Sequence, residues 1–472
     1  MVFTSPVFLF GFLPILIFCY FLSPWKTKNL ILVIASILFY AWGEVFYTGV
    51  MLISIVFNYY AGINIEKSNA KKAKLILAIS VAVNLLLLSA FKYANFLSEN
   101  INIVLNSLNL PSYDLEPIHL PLGISFFTFQ AISYIVDVYR RETQAQKKLL
   151  DLALYISLFP QLVAGPIVRY HDIAQQIFLR AHTLSNFSNG VQRFALGLAK
   201  KMLIANPLGA VADSAFATGN SDLTMPIAWI GIIAYSLQIF FDFSAYSDMA
   251  IGLGRMFGFT FLENFNYPYI SKSVREFWRR WHISLSTWFR DYVYIPLGGN
   301  RISTTRTYIN LSIVFLLTGI WHGASWNFIV WGAFHGLFLA IEHAGFSNVL
   351  NRLWRPLQHI YLLSIVMVGW VFFRADTLPQ ALEYLHAMID ISEPTISSLV
   401  LYQLLDNEAV FAFIFAFIFC TPVYQKIKHA IGEEPKANFI SIVHLTIISA
   451  LFYVTLLKIS SSTYNPFIYF RF

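Results

Sequence analysis

Residues 273–301 read SVREFWRRWHISLSTWFRDYVYIPLGGNR, and an apolar run then leads to residues 317–336, LTGIWHGASWNFIVWGAFHG. Between Ser273 and Gly336 stand His282, His322 and His335, five arginines up to Arg301, and six tryptophans. The chain as a whole is poor in charge: 12% of its residues are Asp, Glu, Lys or Arg and 57% are hydrophobic. An average soluble protein carries about 25% charged residues. Mean hydropathy is +0.61. Ionisable side chains set among apolar segments are costly to bury and mark sites of function or pairing. Apolar runs extend along the whole sequence, so the fold class is an all-α polytopic membrane protein, expected as one domain over 1–472 with its core at about 273–336.

Working outward from that core, a span needs about 20 apolar residues to cross about 30 Å of hydrocarbon. Candidate segments are Val7–Leu22, Leu30–Trp42, Phe46–Ile63, Leu75–Phe91, Leu120–Val138, Leu149–Gly165 and Gly190–Ala217. They continue with Ile227–Met256, Tyr308–Trp321, Trp326–Ile341, Ile360–Phe373, Val410–Tyr424 and Phe439–Leu457. About 11 to 13 membrane-embedded segments are expected, some re-entrant. The first run lacks a basic leader and a small-residue cleavage site, so it reads as a retained span. Lys26 and Lys28, then Lys67 to Lys74, then Arg140 to Lys148 occupy alternate loops. Positive residues stay inside, which places these loops in the cytoplasm and the amino terminus outside. The net charge of +7 therefore reports topology first, and no nucleic-acid partner is expected. Cys19 and Cys420 lie in apolar runs without ligand spacing and read as small buried residues.

Taken as one helix, Arg275–Tyr292 puts Trp278, Trp281, Leu285, Trp288, Phe289 and Tyr292 on one face. Arg275, Arg279, Ser286 and Arg290 form an adjoining stripe, with His282 at the border. Such a stripe suits either an interfacial anchor on anionic lipid or a lining that attracts phosphates. Gly298–Gly299 permit a tight turn. His322 ends an apolar run; an imidazole titrates near neutrality and can take and return a proton. On residue type alone it is either a packing residue or a general base, and His335 is a partner, a pore residue or packing. His322, His335 and His343 lack i, i+3 or i+4 spacing and clustered carboxylates, so no metal is expected. Asp242 and Asp248 lie in an aromatic run, as partners of a nearby arginine or as cavity lining. In Leu158–Tyr170, LFPQLVAGPIVRY, the prolines and glycine break any helix, marking a span end or a cavity wall.

The two halves of the opening stretch resemble the signature of membrane-bound O-acyltransferases, more narrowly their alginate- and peptidoglycan-acetylating bacterial branch. LFYAWGE near the amino terminus, LGISFFTFQAISYIVDVYR, FFDFSAYSDMAIGLG and the ending NPFIYFRF are also similar, so the resemblance covers essentially the whole chain. It implies many helices around a central funnel or tunnel. It implies that His322 is catalytic and that His282 is the second signature histidine. It implies acetyl transfer from a cytoplasmic thioester, such as acetyl-CoA, with no permanently bound cofactor. A periplasmic transferase would pass the acetyl group to an exported polysaccharide or to peptidoglycan, from a protein in the bacterial inner membrane. Beside this, Arg275, Arg279, Arg290, His335 and Asp242 are candidate donor- or substrate-binding residues. Teichoic-acid D-alanyl transfer, a transporter or channel lined by the same residues, and a non-catalytic scaffold are the competing readings.

Overall fold

The computed structural model describes all residues except 114, 164, 220–221, 392–403, 424, 427–436, 462–463, 465 and 467–472, with backbone alone at 437–442. Among the described residues every regular element is a helix. Seven helices are long and apolar enough to cross a membrane, and Val7–Leu22, Ile124–Tyr139 and Asn407–Phe419 are shorter apolar helices. The chain forms two compact units, Met1–Val191 with Ala250–Leu262, and Gln192–Met249 with Glu263–Phe472.

In the first unit, Ile124–Tyr139 is buried on nearly every side, as expected of a helix that is hydrophobic all round. It lies close to Val45–Lys67 at Gly62, where any Cβ would collide with the Tyr134 phenol. Val45–Lys67 and Ala70–Lys92 are joined by two buried amides: Asn58 Nδ2 donates to Asn84 Oδ1 at 3.0 Å, and Asn84 Nδ2 donates back at 2.8 Å. Such amide pairs hold helices together where lipid offers no hydrophobic driving force.

Two expectations change here. Leu149–Gly165 is not one continuous helix: it breaks at Leu158 into Leu149–Ser157 and the short Phe159–Leu162, and Asp151 to Leu162 are all buried. Nine residues reach about 14 Å, half the hydrocarbon thickness. The run is apolar because protein surrounds it. The loop after Lys92 also contains a helix, Ala94–Ser107, with no buried residue. Its Asn95 and Asn102 amides pair with the backbone of Ile118 and Tyr113, pinning the following segment alongside.

In the second unit, Thr304–His322 and Trp326–Ile341 form a tight hairpin. Gly319 and Gly332 face each other; a Cβ on Gly319 would overlap Phe328 O, and one on Gly332 would overlap Phe315 O. Small residues at such positions let two backbones touch. Gly319→Val is therefore expected to destabilise the folded protein by about 1–3 kcal/mol, the usual cost of overpacking. A lower melting temperature of the purified variant checks this, and an unchanged one would refute the close contact.

Candidate functional site

The Val274–Arg280 helix begins the site. Ser273 caps it, its Oγ accepting from the Glu276 N–H at 3.1 Å. A second cap comes from far along the chain. The buried Glu342 carboxylate accepts from Val274 N at 2.7 Å and Arg275 N at 3.0 Å. The N–H groups of a first turn have no partner within the helix, and a carboxylate suits the positive end of the helix dipole. Glu342 thereby ties this helix to the end of Trp326–Ile341 and sets the bearing of Arg275 and Arg279.

The single helix expected over Arg275–Tyr292 is two helices. Val274–Arg280 ends at Trp281, and Ile283–Phe289 restarts after His282, whose φ of 43° and ψ of 56° are left-handed. A side-chain-bearing residue rarely holds that conformation, and it persists only where surroundings enforce it. Here residues 264–266 enforce it. Asn266 N donates to Arg280 O at 2.9 Å, and Ile283 N donates to Asn264 O at 2.9 Å. These bonds take groups that a continuous helix would use for its own ladder.

The same contact fixes the His282 ring. Asn264 Oδ1 accepts from the Ser284 backbone N–H at 3.3 Å and from Ser284 Oγ at 2.9 Å, while its Nδ2 donates to Ser247 Oγ at 3.1 Å. Because a backbone N–H can only donate, the oxygen of Asn264 is the atom on that side. His282 Nδ1 lies 3.1 Å from that oxygen and so carries the proton. Nε2 is then the basic nitrogen. It is buried and has no hydrogen-bond partner among the described residues. Phe243 packs edge-on against the ring at 4.6 Å.

His322 is the last residue of Thr304–His322 and is 6% exposed. Its ring is caged edge-to-face by Trp321 at 4.9 Å, Trp331 at 5.0 Å and Phe373 at 5.1 Å. Trp321 also touches the His282 ring, at 6.2 Å. The two signature histidines thus share one indole as neighbour.

A cavity of about 600 Å³ lies along the arginine stripe. Arg275, Arg279, Ser286, Arg290, Tyr294 and His343 contribute its polar lining, and Trp278, Leu311, Val314, Phe315 and Thr318 line it as well. The stripe survives the kink, since all four of its members reach one space. Arg290 is paired with Asp291 at 2.7 Å. Arg275 Nη2 approaches His343 Nδ1 at 3.4 Å. Among the described residues neither Arg275 nor Arg279 joins an ion pair. Thr318 is one helical turn before His322, so the lining follows the face of the helix that carries the histidine.

His322, His282, His335 and Asp242 are not among the residues that line this space. His335 is fully buried in an aromatic box of Trp278, Trp331 and Phe334 at 5.2, 5.2 and 5.7 Å. Gly369 leaves room for it, because a Cβ there would lie 2.7 Å from His335 Nε2. It packs in that box, and neither of its ring nitrogens has a hydrogen-bond partner among the described residues. Asp242 does not line the cavity; it pairs at 2.7 Å with Lys201, both buried. The expected arginine partner is thus a lysine, presented by a π turn at Lys200–Ala205. Asp248 does meet an arginine, Arg193, at 2.8 Å, and Lys200 at 2.6 Å. Gly298 and Gly299 both take positive φ in the expected turn.

Of the residues that sequence reasoning missed, Glu342 carried a signal, a carboxylate closing an apolar run. Asn264 carried none. A separate cluster of Asp137, Glu142 and His171, with ligand atoms within 4.8 Å of one another, lies in the first unit. There the Asp137 carboxylate accepts from the His171 backbone N–H at 3.1 Å and meets its ring at 2.9 Å. That hydrogen bond raises His171 above its ordinary pKa.

The family model "MBOAT, membrane-bound O-acyltransferase family" matches residues 30–374. The chain is 43% identical to the probable alginate O-acetylase AlgI of Azotobacter vinelandii over the full length of both. It is 38% identical to the peptidoglycan O-acetyltransferase of Helicobacter pylori, over 83% of this chain and 80% of that one. It is 30% identical to the teichoic acid D-alanyltransferase of Bacillus subtilis, over 48% of this chain and 60% of that one.

Proposed function

The chain belongs to the membrane-bound O-acyltransferase family, and from that membership and the site geometry we propose a specific reaction. The enzyme takes acetyl groups from acetyl-CoA or another acetyl thioester at the cytoplasmic face of the bacterial inner membrane. It delivers them for O-acetylation of an exported alginate-like polysaccharide or of peptidoglycan. A periplasmic transferase receives the acetyl group, and the amino terminus lies on that side. The observation that carries this reading is the placement of an arginine-lined cavity next to the helix that ends in His322. Among the described residues, two arginines outside any ion pair line a cavity that ends at Thr318, one helical turn before His322, and His322 shares Trp321 as a neighbour with His282.

The chemistry asks little beyond positioning and one proton. A thioester is already activated. His322 acts as general base on the accepting hydroxyl and returns the proton to the departing thiolate. His282, with its Nδ1 proton directed to Asn264 and Nε2 as its basic atom, offers a second acceptor across Trp321. Arg275 and Arg279 hold the donor's phosphates, as guanidinium groups do in bidentate fashion. Relatives acting on alginate and on peptidoglycan cover at least 80% of both chains. The D-alanyl relative matches under half of this one.

The test is reconstitution in liposomes with labelled acetyl-CoA on one side, and the glycan with its periplasmic transferase on the other. Acceptor-dependent release of free thiol supports the proposal. Passage of an intact solute without thiol release would replace it with a transporter. In the same assay Arg275→Gln and Arg279→Gln, each made singly, are expected to raise the donor KM roughly 10- to 100-fold with little change in kcat. A hydrogen bond to a charged group contributes about 1.5–3 kcal/mol, and loss of uniform binding appears in KM. An unchanged KM would remove that arginine from the donor site.

A further inference from the structure

A second basic cluster, in the first compact unit, takes no part in that chemistry. It gathers Tyr20 near the end of Leu13–Leu22, Lys28 in the first turn of Trp25–Ala41, and Arg180 and His182 just beyond Tyr170–Phe178. Arg180 Nε donates to Tyr20 Oη at 3.0 Å, His182 Nε2 lies 2.8 Å from the same oxygen, and Lys28 Nζ donates to Tyr20 O at 2.8 Å. Arg180 is 8% exposed. Its Nη1 donates to Ile177 O at 3.1 Å, closing the preceding helix. Its Nη2 has no partner among the described residues.

No carboxylate pairs with Arg180, Lys28 or His182 among the described residues. Asp151, whose carboxylate takes the Asn29 amide at 2.9 Å, forms no ion pair with them. Burial first, then Lys28 and Arg180, hold His182 below its ordinary pKa. Two cations brought together and half-buried repel each other unless an anion joins them. The guanidinium lies over Phe259 at 4.6 Å and over Trp25 at 5.2 Å. Trp25 is itself 44% exposed, so the guanidinium lies against a partly exposed indole.

The surroundings indicate where the anion comes from. Phe18, Leu22, Phe178, Leu179 and Leu184 are all exposed large apolar side chains near these positions in the chain. Tryptophan and lysine beside such a rim are the residues of a membrane–water interface. We infer that Arg180, Lys28 and His182 form a phosphoryl-anion site that takes the headgroup phosphate of an anionic phospholipid, with Trp25 at its mouth.

Binding to the purified full-length protein tests this, with phosphatidylglycerol, phosphatidylcholine and inorganic phosphate as separate probes in native mass spectrometry and thermal melting. Phosphatidylglycerol should bind and raise the melting temperature, phosphatidylcholine should do neither, and inorganic phosphate should compete at high concentration. Lys28→Gln should weaken phosphatidylglycerol roughly fivefold, since one basic residue at a lipid surface contributes about 1 kcal/mol. Lys28→Glu should weaken it further. Arg180→Gln should abolish binding, and because Arg180 also closes a helix, the Lys28 variants decide the matter if that protein does not fold. Equal binding of the two lipids, unchanged affinity in Lys28→Glu, or stabilisation by inorganic phosphate alone would overturn the lipid assignment. Thiol release from the acetyl donor is measured in parallel; it depends on the other unit and reports separately on the acyltransferase reading.

Discussion

His322→Ala is expected to lower acetyl transfer by about 10²- to 10⁴-fold, the range that a positioned acid–base group contributes. The loss should appear in kcat, because the proton is moved only during reaction. Removing the ring also empties a cage of Trp321, Trp331 and Phe373, which costs some stability. His322→Gln separates the two effects: it retains most of the volume and polarity but cannot serve as a base. Both variants should be inactive, and the glutamine variant should melt near the parent temperature. Acetylation at parental level in either, at equal amounts of protein in the membrane, would remove His322 from the chemistry.

The second large effect is expected at Asn264, which lies outside the opening stretch. Asn264→Leu should reduce kcat about 10- to 100-fold, as loss of a partner that orients a functional imidazole commonly does, while leaving the donor KM unchanged. The kink itself should remain, since the Asn264 carbonyl and the Asn266 N–H act through backbone atoms. What goes is the acceptor that keeps the proton on His282 Nδ1. Asn264→Asp keeps that acceptor and adds a charge that favours the imidazolium. It should retain more activity than the leucine variant and move the acid limb of the pH–kcat profile upward. A merely structural Asn264 would lower the melting temperature of both variants and leave the pH profile in place.

Sequence periodicity is local, and the comparison of expectation with structure divides along that line. The arginine stripe was legible because Arg275, Arg279, Ser286 and Arg290 are spaced for one face, and that face does border a single cavity. The break at His282 was not legible. Neither Trp281 nor His282 opposes a helix by type, and the groups that divert the backbone stand some 18 residues upstream in sequence, at 264–266. Hydropathy likewise measures preference for an apolar medium without naming it. Leu149–Ser157 satisfied that preference with protein, so where one long helix was expected a buried short one stands. Asp242 shows a third limit. Its need for a cation was readable from burial cost, but the choice of Lys201 over an arginine depends on a π turn that swings the lysine inward.

The backbone contact between Gly319 and Gly332 also bears on how the site opens. Two helices whose main chains touch have no soft side chains between them to absorb sliding, and packed interfaces of this kind switch or stay still rather than deform by degrees. The hairpin therefore carries His322 and Trp331 as one stiff frame, and its hinge is not where substrate gains entry. Room for an acyl group is then expected from side-chain rotation in the cage, of Phe373 on Arg355–Arg374 or of Trp321, the hairpin residue between the histidines. If His322 is the base, turnover is then expected to depend on aromatic rotamers, fast and local, and not on a large movement of these two helices.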